Sequence, residues 1–468
     1  MLFNSFHFFY LCSVTLVLYY LPFLKNRQVL LLLLSSLIFY AYHTPWQLIL
    51  LITCAAINVA TSFLITYGKE TLQKTWAIIG VVANLSILAF FKYSLLITNI
   101  FLDPEASLTT FLIQIPLPIG ISFYTFQGIS LMVDTYKRNH FEPKVLIPKS
   151  IWEHAKRTLF FISFFPQLIA GPIVKAHDFI PQIGVKRLRD IQADYVFKNI
   201  ILGYFLKIVV ADNLKDFTNS LEYPYFLGLS SLMLIVMLVG YSFQIFADFA
   251  GYSCIAIGLA GLFGYKLIIN FNFPYLATSF RSFWRRWHIS LSSFLMEYLY
   301  IPLGGSRHGK FRTYFNLFIT MILGGLWHGA TWSYAVWGFA HGVALAIERF
   351  LSETIGSPKT GLYKVTKGFF VFMTVTFAWL LFKLPDFSHV IYYFGALWQN
   401  GGIKSDPLII INIVYLSFPV VIYHIYHQTS QYLSKSVVTK FEYMVYGAML
   451  FFIFTNSGSA GDFIYFQF

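Results

Sequence analysis

The segment Arg281-Ser282-Phe283-Trp284-Arg285-Arg286-Trp287-His288, followed by Gly324-Gly325-Leu326-Trp327-His328-Gly329, decides how this chain is read. Arginine, tryptophan and histidine crowd into residues 281–341. The chain around them suits lipid: of 468 residues, 57% are hydrophobic and only 11% charged. Soluble proteins carry about 25% charged residues. The 52 phenylalanines and 31 tyrosines supply rings suited to the headgroup depth of a bilayer. An imidazole in an apolar span is costly, so it usually has a task there. The expectation is an all-α polytopic membrane protein whose chemistry centres on His328.

Upstream, apolar runs cover Phe6–Leu24, Val29–Tyr42, Trp46–Tyr67 and Trp76–Ile97. Basic loops at Lys25 and Arg27 and at Lys69 and Lys74 alternate with the base-free Asp103-Pro104-Glu105. The positive-inside rule makes the basic loops cytoplasmic and places the N-terminus outside. Basic residues follow the first apolar run instead of preceding it, and no small-residue cleavage site appears, so it reads as a retained span. Pro116–Tyr136 returns to a basic segment with Lys137, Arg138, Lys144 and Lys149. The run Thr158–Val174 contains Pro166 and Pro172 and is basic on both flanks. It is too short and too broken to span, which predicts a re-entrant hairpin buried in protein.

Asn199–Val210 leads outward to Asp212, and Phe226–Phe246 returns with Asp248 at its foot. Cys254–Tyr265 is short. Further runs lie near Trp332–Ile347, Gly368–Phe382, Leu408–Tyr426 and Tyr443–Phe454. At about 20 residues per crossing, roughly twelve crossings and one or two half-crossings are expected. They form a single integral-membrane domain over 1–468, with core motifs at 115–350 and C-terminal helices at 351–468. No internal repeat is evident.

His328 follows the apolar run Leu317–Leu326 and is bracketed by Gly324, Gly325 and Gly329 and by Trp327 and Trp332. Small residues admit a neighbouring helix or a ligand closely. A neutral imidazole takes a proton from a hydroxyl, as acyl transfer to an alcohol requires. The blander alternative is a histidine that only hydrogen-bonds another helix. At helical spacing Arg281, Arg285 and His288 share a face, with Trp284, Trp287 and Leu291 nearby. Their guanidinium groups, with Arg286, suit the phosphates of a coenzyme or a carrier-protein pantetheine. A cytoplasmic amphipathic helix gripping anionic lipid would look similar. Gly304-Gly305 after Pro302 predicts a sharp turn, with Tyr298 and Tyr300 as interface anchors.

Gln127 and Gln244 lie deep in apolar runs, and Asp134 and Asp248 sit near span ends. Carboxylates there either orient a histidine or pair with a cation. His341, one helix beyond His328, either lines the same pocket or serves as polar glue. His424 and His427 read as solvated. Cys12, Cys54 and Cys254 offer neither a metal spacing nor a disulfide framework. No phosphate loop and no Gly-x-Ser-x-Gly elbow is present, which leaves nucleotide hydrolysis and serine hydrolysis without support. The net charge of +13 is spread as topology signals, so nucleic acid is the weaker partner.

Phe283 to Ser292, Tyr298 to Gly305 and Gly324 to Gly329 together resemble the membrane-bound O-acyltransferase family, nearest its bacterial branch of alginate and peptidoglycan O-acetyltransferases. Gly120–Gln127, Phe164–Val174, Lys207–Leu214 and Gln244–Gly258 agree in order, and the likeness runs from about residue 1 to 350. Glu297 stands where relatives commonly carry aspartate, so the charge is kept. The resemblance implies a ring of tilted helices, with re-entrant and in-plane helices, around a central two-sided funnel. It implies that His328 is essential and that His288 serves the donor side. Trp327, Gly325, Gly329, Gln127, Asp248 and His341 would line the pocket. The implied donor is cytoplasmic acetyl-CoA, used as a substrate, with no tightly bound cofactor and no metal. The acetyl group would pass across a bacterial inner membrane to a separate periplasmic SGNH-type acetyltransferase and thence to a polysaccharide. A lipid acyltransferase of the same family, or a transporter without chemistry, would share these features. The transporter would more often show a repeat between halves.

Overall fold

A computed structural model describes the chain except residues 2, 102–108, 110–111, 113–114, 138–145, 170, 355–360, 431, 433, 459–462 and 464–468. The Asp103-Pro104-Glu105 loop, Arg138, Lys144 and Lys359 lie outside the described residues. Every regular element among the described residues is helical. That is the expected solution where lipid offers no hydrogen bonds and the backbone must satisfy itself locally. The longer helices are α1 (Phe6–Tyr20), α2 (Gln28–Ala41), α3 (Gln47–Tyr67), α4 (Gln73–Phe101), α5 (Ile121–Lys137), α6 (Ile151–Ser163), α7 (Ala193–Tyr204) and α8 (Ser231–Leu262). After two short helices, α9 (Phe280–Trp284) and α10 (Ile289–Leu295), come α11 (Gly309–His328), α12 (Trp332–Thr354), α13 (Gly361–Ala378), α14 (Phe387–Gln399), α15 (Pro407–Ser430) and α16 (Lys435–Thr455).

Among the described residues, seven helical stretches are long and apolar enough to cross a membrane. The further crossings expected from hydropathy correspond to elements that are shorter or more polar. Helix α1 has 15 residues. Helices α11 and α12 are long enough, at 20 and 23 residues, but carry histidine and charge. The chain divides into two compact units: residues 1–200 with 255–268, and 201–254 with 269–468.

In the first unit, α3 to α6 enclose a polar core. Asn58 Nδ2 donates to the Cys54 carbonyl (2.9 Å) and to Asn84 Oδ1 (3.2 Å). Asn84 Nδ2 returns bonds to Asn58 Oδ1 (2.9 Å) and the Gly80 carbonyl (2.8 Å). Both asparagines are buried. Ser150 caps α6 by accepting the Glu153 N–H (3.4 Å), the first half of the capping box that Ser-x-x-Glu encodes. The helix stops after Ser163, where Phe164 turns to φ −52°, ψ 107°. A single turn, Phe165–Leu168, restarts behind Pro166, and the chain reaches Lys175 in extended form. This broken run is buried throughout its aromatic residues. Its freed Phe161 carbonyl accepts from both Gln127 Nε2 and Gln167 Nε2 (2.9 Å each), and the Phe165 N–H donates to Ser36 Oγ (3.1 Å). Side chains thus replace the helical bonds that the break forfeits.

Two readings need correction. The runs 226–246 and 254–265 are not separate: α8 is one continuous helix of 32 residues, so Asp248 lies inside it and not at a foot. Asp248, Gly251 and Ser253 interrupt the hydropathy without interrupting the helix. His424 is not solvated. It is buried, with Nδ1 2.8 Å from the Val420 carbonyl, and its ring packs on Phe246 and Tyr275. His427, by contrast, stacks on Phe273 at 3.6 Å and stays partly exposed.

In the second unit, α7 continues through a π-helical stretch, Phe205–Ala211. There the buried Lys207 ammonium lies 2.7 Å from both Asp212 and Asp248 carboxylates. The pairing compensates charges whose isolated burial would be expensive. Helices α11 and α12 pack backbone to backbone. A Cβ on Gly325 would come within 2.2 Å of the Tyr334 carbonyl, and one on Gly338 within 2.2 Å of the Met321 carbonyl. Only glycine permits this approach, which brings the Trp-His pair of α11 against α12.

Candidate active site

Leu317, Thr320, Met321, Gly324 and His328 recur at helical spacing along one stripe of α11 and face a cavity of about 270 Å³. Leu291, Ser292 and Leu295 of α10 form a second wall, and Met296 and Tyr300 continue it on a π-turn over Met296–Tyr300. Trp337 and Leu345 come from α12, and Arg281, Trp284 and Arg285 from α9 and its C-cap. Arg281 and Arg285 are exposed, whereas His328 is buried. A single cavity therefore connects an exposed pair of guanidinium groups with a buried imidazole.

Aromatic rings box in His328. Trp327 and Phe382 each lie 5.0 Å from it, Trp337 5.4 Å and His288 6.0 Å. His341 packs against Trp337 (4.8 Å) and Trp284 (5.1 Å), two walls of the cavity, without itself lining it. Trp284 Nε1, Trp337 Nε1 and His341 Nε2 are buried and have no hydrogen-bond partner among the described residues. An unsatisfied buried donor or acceptor costs about 1–3 kcal/mol. Two of them, Trp284 Nε1 and Trp337 Nε1, belong to residues that line the cavity.

His288 ends the helical reading of 281–288. Helix α9 covers only Phe280–Trp284, and His288 takes a left-handed conformation with φ 45°. Arg281 and Arg285 line the same cavity, but His288 leaves their face because the backbone reverses there. Such strain in a non-glycine residue costs of order 1 kcal/mol or more and persists where neighbours over-determine it. Asn270 does so: its carbonyl accepts the Ile289 N–H (2.9 Å), and its Oδ1 accepts the Ser290 N–H (3.3 Å) and the Ser290 hydroxyl (2.6 Å). Ser253 Oγ in turn accepts from Asn270 Nδ2 (3.0 Å). The imidazole is held edge-on to Phe249 (4.6 Å) and 5.9 Å from Trp327.

The remaining expected residues are dispersed. Arg286 turns to the Asn272 carbonyl (3.1 Å) and Ser282 Oγ (3.3 Å) and does not line the cavity. Trp287 is buried against Phe271 and Trp379. Gln127 belongs to the first unit, where it holds the broken helix, and Asp248 pairs with Lys207. The carboxylate that does orient a histidine is Asp134, 2.8 Å from His177 Nδ1, a partner the linear reading passed over. Gly325 serves helix packing. Gly329 leaves room for the Tyr334 ring, which an added Cβ would meet at 2.1 Å. Gly304 and Gly305 make the expected turn with φ 108° and 56°. Trp337, Phe382, Met296, Leu295 and Asn270 were not singled out from the sequence. A signal did exist for the α11 stripe, because 317, 320, 321, 324 and 328 fit one helical face. Phe382 and Asn270 gave none, since their role depends on folding across long loops.

Residues 38–385 match the profile of the membrane-bound O-acyltransferase family. The peptidoglycan O-acetyltransferase of Helicobacter pylori is 36% identical over 395 residues, 79% of this chain and 74% of that protein. The probable alginate O-acetylase AlgI of Pseudomonas aeruginosa is 35% identical over 425 residues, covering 86% and 76%. The teichoic acid D-alanyltransferase of Bacillus subtilis is 28% identical over 248 residues, covering 50% and 60%. With a family match over residues 38–385, which include the cavity ending on His328, this multi-pass chain belongs to the membrane-bound O-acyltransferase family.

Proposed function

We propose that the protein moves an acetyl group from cytoplasmic acetyl-CoA across a bacterial inner membrane for O-acetylation of an extracytoplasmic polysaccharide. The observation that carries this reading is the cavity that joins exposed Arg281 and Arg285 to buried His328. Coenzyme phosphates would pair with the two guanidinium groups, which suit them bidentately. The pantetheine arm would follow the apolar wall of Leu291, Leu295 and Met296 toward the imidazole. The bare indole nitrogens of Trp284 and Trp337 would supply polar contacts for its amides and for the thioester. His288, in its fixed backbone setting, supports the donor side.

In this reading His328 is the general base. Its neutral imidazole takes the acceptor hydroxyl proton as that oxygen attacks the thioester carbon. The carbon–sulfur bond breaks, the ester forms, and the imidazolium returns the proton to the departing thiolate. Burial of His328 among aromatic rings keeps water from competing for the acyl group. The named activities of the relatives, on peptidoglycan and alginate, support a polysaccharide acceptor. A separate periplasmic SGNH-type transferase is the proposed finishing partner. Nucleic acid, metal and tightly bound cofactor have no part in the proposal.

The test is acetate released by mild base from purified cell-surface glycans of a deletion strain complemented with wild-type or His328→Ala protein. Loss of acetate from one fraction, restored by wild type alone, is the expected result and identifies the acceptor. Full restoration by His328→Ala overturns the role of His328. No change in any fraction overturns the glycan acceptor and favours acylation of a lipid.

A further inference from the structure

A second cavity, about 550 Å³, lies between α12 and α13 and shares none of its lining residues with the His328 cavity. Trp337 and Leu345 of α12 face the histidine, whereas Ala340, Val343, Ala344 and Ile347 face this second space. Its far wall is α13, part of a stretch (Gly361–Lys383) long and apolar enough to cross a bilayer. The two helices run antiparallel around the cavity. Ala340, Ala344, Val371 and Thr374 therefore lie toward one end, and Glu348, Ser352, Tyr363 and Lys367 toward the other. The slot is thus graded from apolar to charged. Ala340 and Ala344 keep it open, since neither side chain is large enough to fill it.

We propose that this slot binds one zwitterionic phospholipid, with an acyl chain along the alanine face of α12 and a phosphate-plus-ammonium headgroup between Lys367 and Glu348. The occupant follows from the lining. Apolar walls within a bilayer select a hydrocarbon chain over water. One cation and one carboxylate in the same mouth complement a headgroup that carries both charges. A purely anionic headgroup would meet Lys367 but be opposed by Glu348.

The site touches the donor machinery through α9. Glu348 accepts the Phe280 N–H at 2.6 Å and the Arg281 N–H at 3.4 Å, and the Phe280 side chain lines the slot. A headgroup at Glu348 therefore steadies the short helix that presents Arg281, Trp284 and Arg285 to the other cavity. This coupling rests on the donor-binding role proposed above, whereas lipid binding does not.

The experiment incorporates purified protein into nanodiscs of equal phosphatidylethanolamine and phosphatidylglycerol, re-extracts it in mild detergent, and counts retained lipid by native mass spectrometry. Wild type is expected to retain one phosphatidylethanolamine. Ala344→Phe and the milder Ala340→Leu are expected to retain about ten-fold less, the equivalent of roughly two methylene groups left unburied. Glu348→Gln is expected to abolish the preference between the two lipids, because the carboxylate is what favours the ammonium and opposes a purely anionic headgroup. Wild type that retains no lipid, or both lipids equally, overturns the proposal without recourse to any variant. So does Ala344→Phe or Ala340→Leu protein that retains as much as wild type. Coupling is read separately, as a several-fold higher KM for acetyl-CoA in discs lacking phosphatidylethanolamine. An unchanged KM overturns the coupling, and a complete lack of acyl transfer by wild type in either disc overturns the donor reading instead.

Discussion

Two buried polar regions of this protein are built on opposite plans. Around Asn58 and Asn84 each amide donates and accepts in a closed exchange between α3 and α4. Around Trp284, Trp337 and His341 three buried nitrogens have no partner among the described residues. Both regions place polar atoms where water is scarce, and both are tightly packed. A closed network stabilises helix association and leaves nothing over for a ligand. An open one sacrifices stability to keep donors aimed at something that arrives later.

The comparison breaks most sharply at His328. His328→Ala is expected to lower acyl transfer by about 10²–10⁴-fold, the usual worth of general-base catalysis, with Tm unchanged or slightly raised. Coenzyme release from acetyl-CoA in purified protein measures the first, and a thermal unfolding scan the second. A large fall in Tm would move His328 to the structural class. On the closed side, Asn58→Leu leaves Asn84 without its partner and is expected to cost about 1–3 kcal/mol of stability. KM for donor should be unaffected. Adding Asn84→Leu should recover part of that loss, because two apolar side chains no longer strand an amide. A double variant worse than either single one would show that the network contributes more than mutual satisfaction.

Arg281→Ala and Arg285→Ala test the open end of the cavity. Each is expected to raise KM for acetyl-CoA about ten-fold with little change in kcat, as loss of a phosphate contact made equally in ground and transition states predicts. Arg286→Ala, whose guanidinium is engaged with the Asn272 carbonyl, should leave KM within about two-fold. Equal effects at all three positions would mean that the cationic segment acts as a diffuse field and not as a pair of contacts. A smaller effect than at Arg281 or Arg285 is expected of Trp337→Phe, which keeps most of the ring but deletes an unpaired donor. A fall of about five-fold in kcat/KM at unchanged Tm corresponds to one neutral hydrogen bond to substrate. Unchanged kcat/KM would show that Trp337 Nε1 bonds nothing during turnover.

Much of the fold and part of the site are legible in the linear chain. Mean composition and apolar run lengths determine a helical membrane protein, because only helices and closed barrels satisfy the backbone in lipid. Pro166 marks the helix break before any coordinates, because proline cannot continue the hydrogen bonding of the preceding turn. Gly304-Gly305 declares a turn, and the spacing from Leu317 to His328 declares one face of α11. The arginine segment misleads beyond Arg285, since nothing local announces that His288 adopts a left-handed backbone. Asn270 imposes that conformation from 18 positions away in the sequence. Asp248 likewise reads as a span end because charge depresses hydropathy, whereas a tertiary partner, Lys207, lets it sit within a continuous helix.

The sequence by itself determined that the chain is helical, that the helix breaks near Pro166, and that a histidine flanked by glycine and tryptophan is set in an apolar run. These follow from local hydrogen bonding and hydropathy. Only the tertiary structure decided that Arg281 and Arg285 share a cavity with His328 while Arg286 and Trp287 do not. Only it showed which buried nitrogens are paired and which are left open. Both depend on the side chains that distant segments bring into contact, and no local periodicity encodes them.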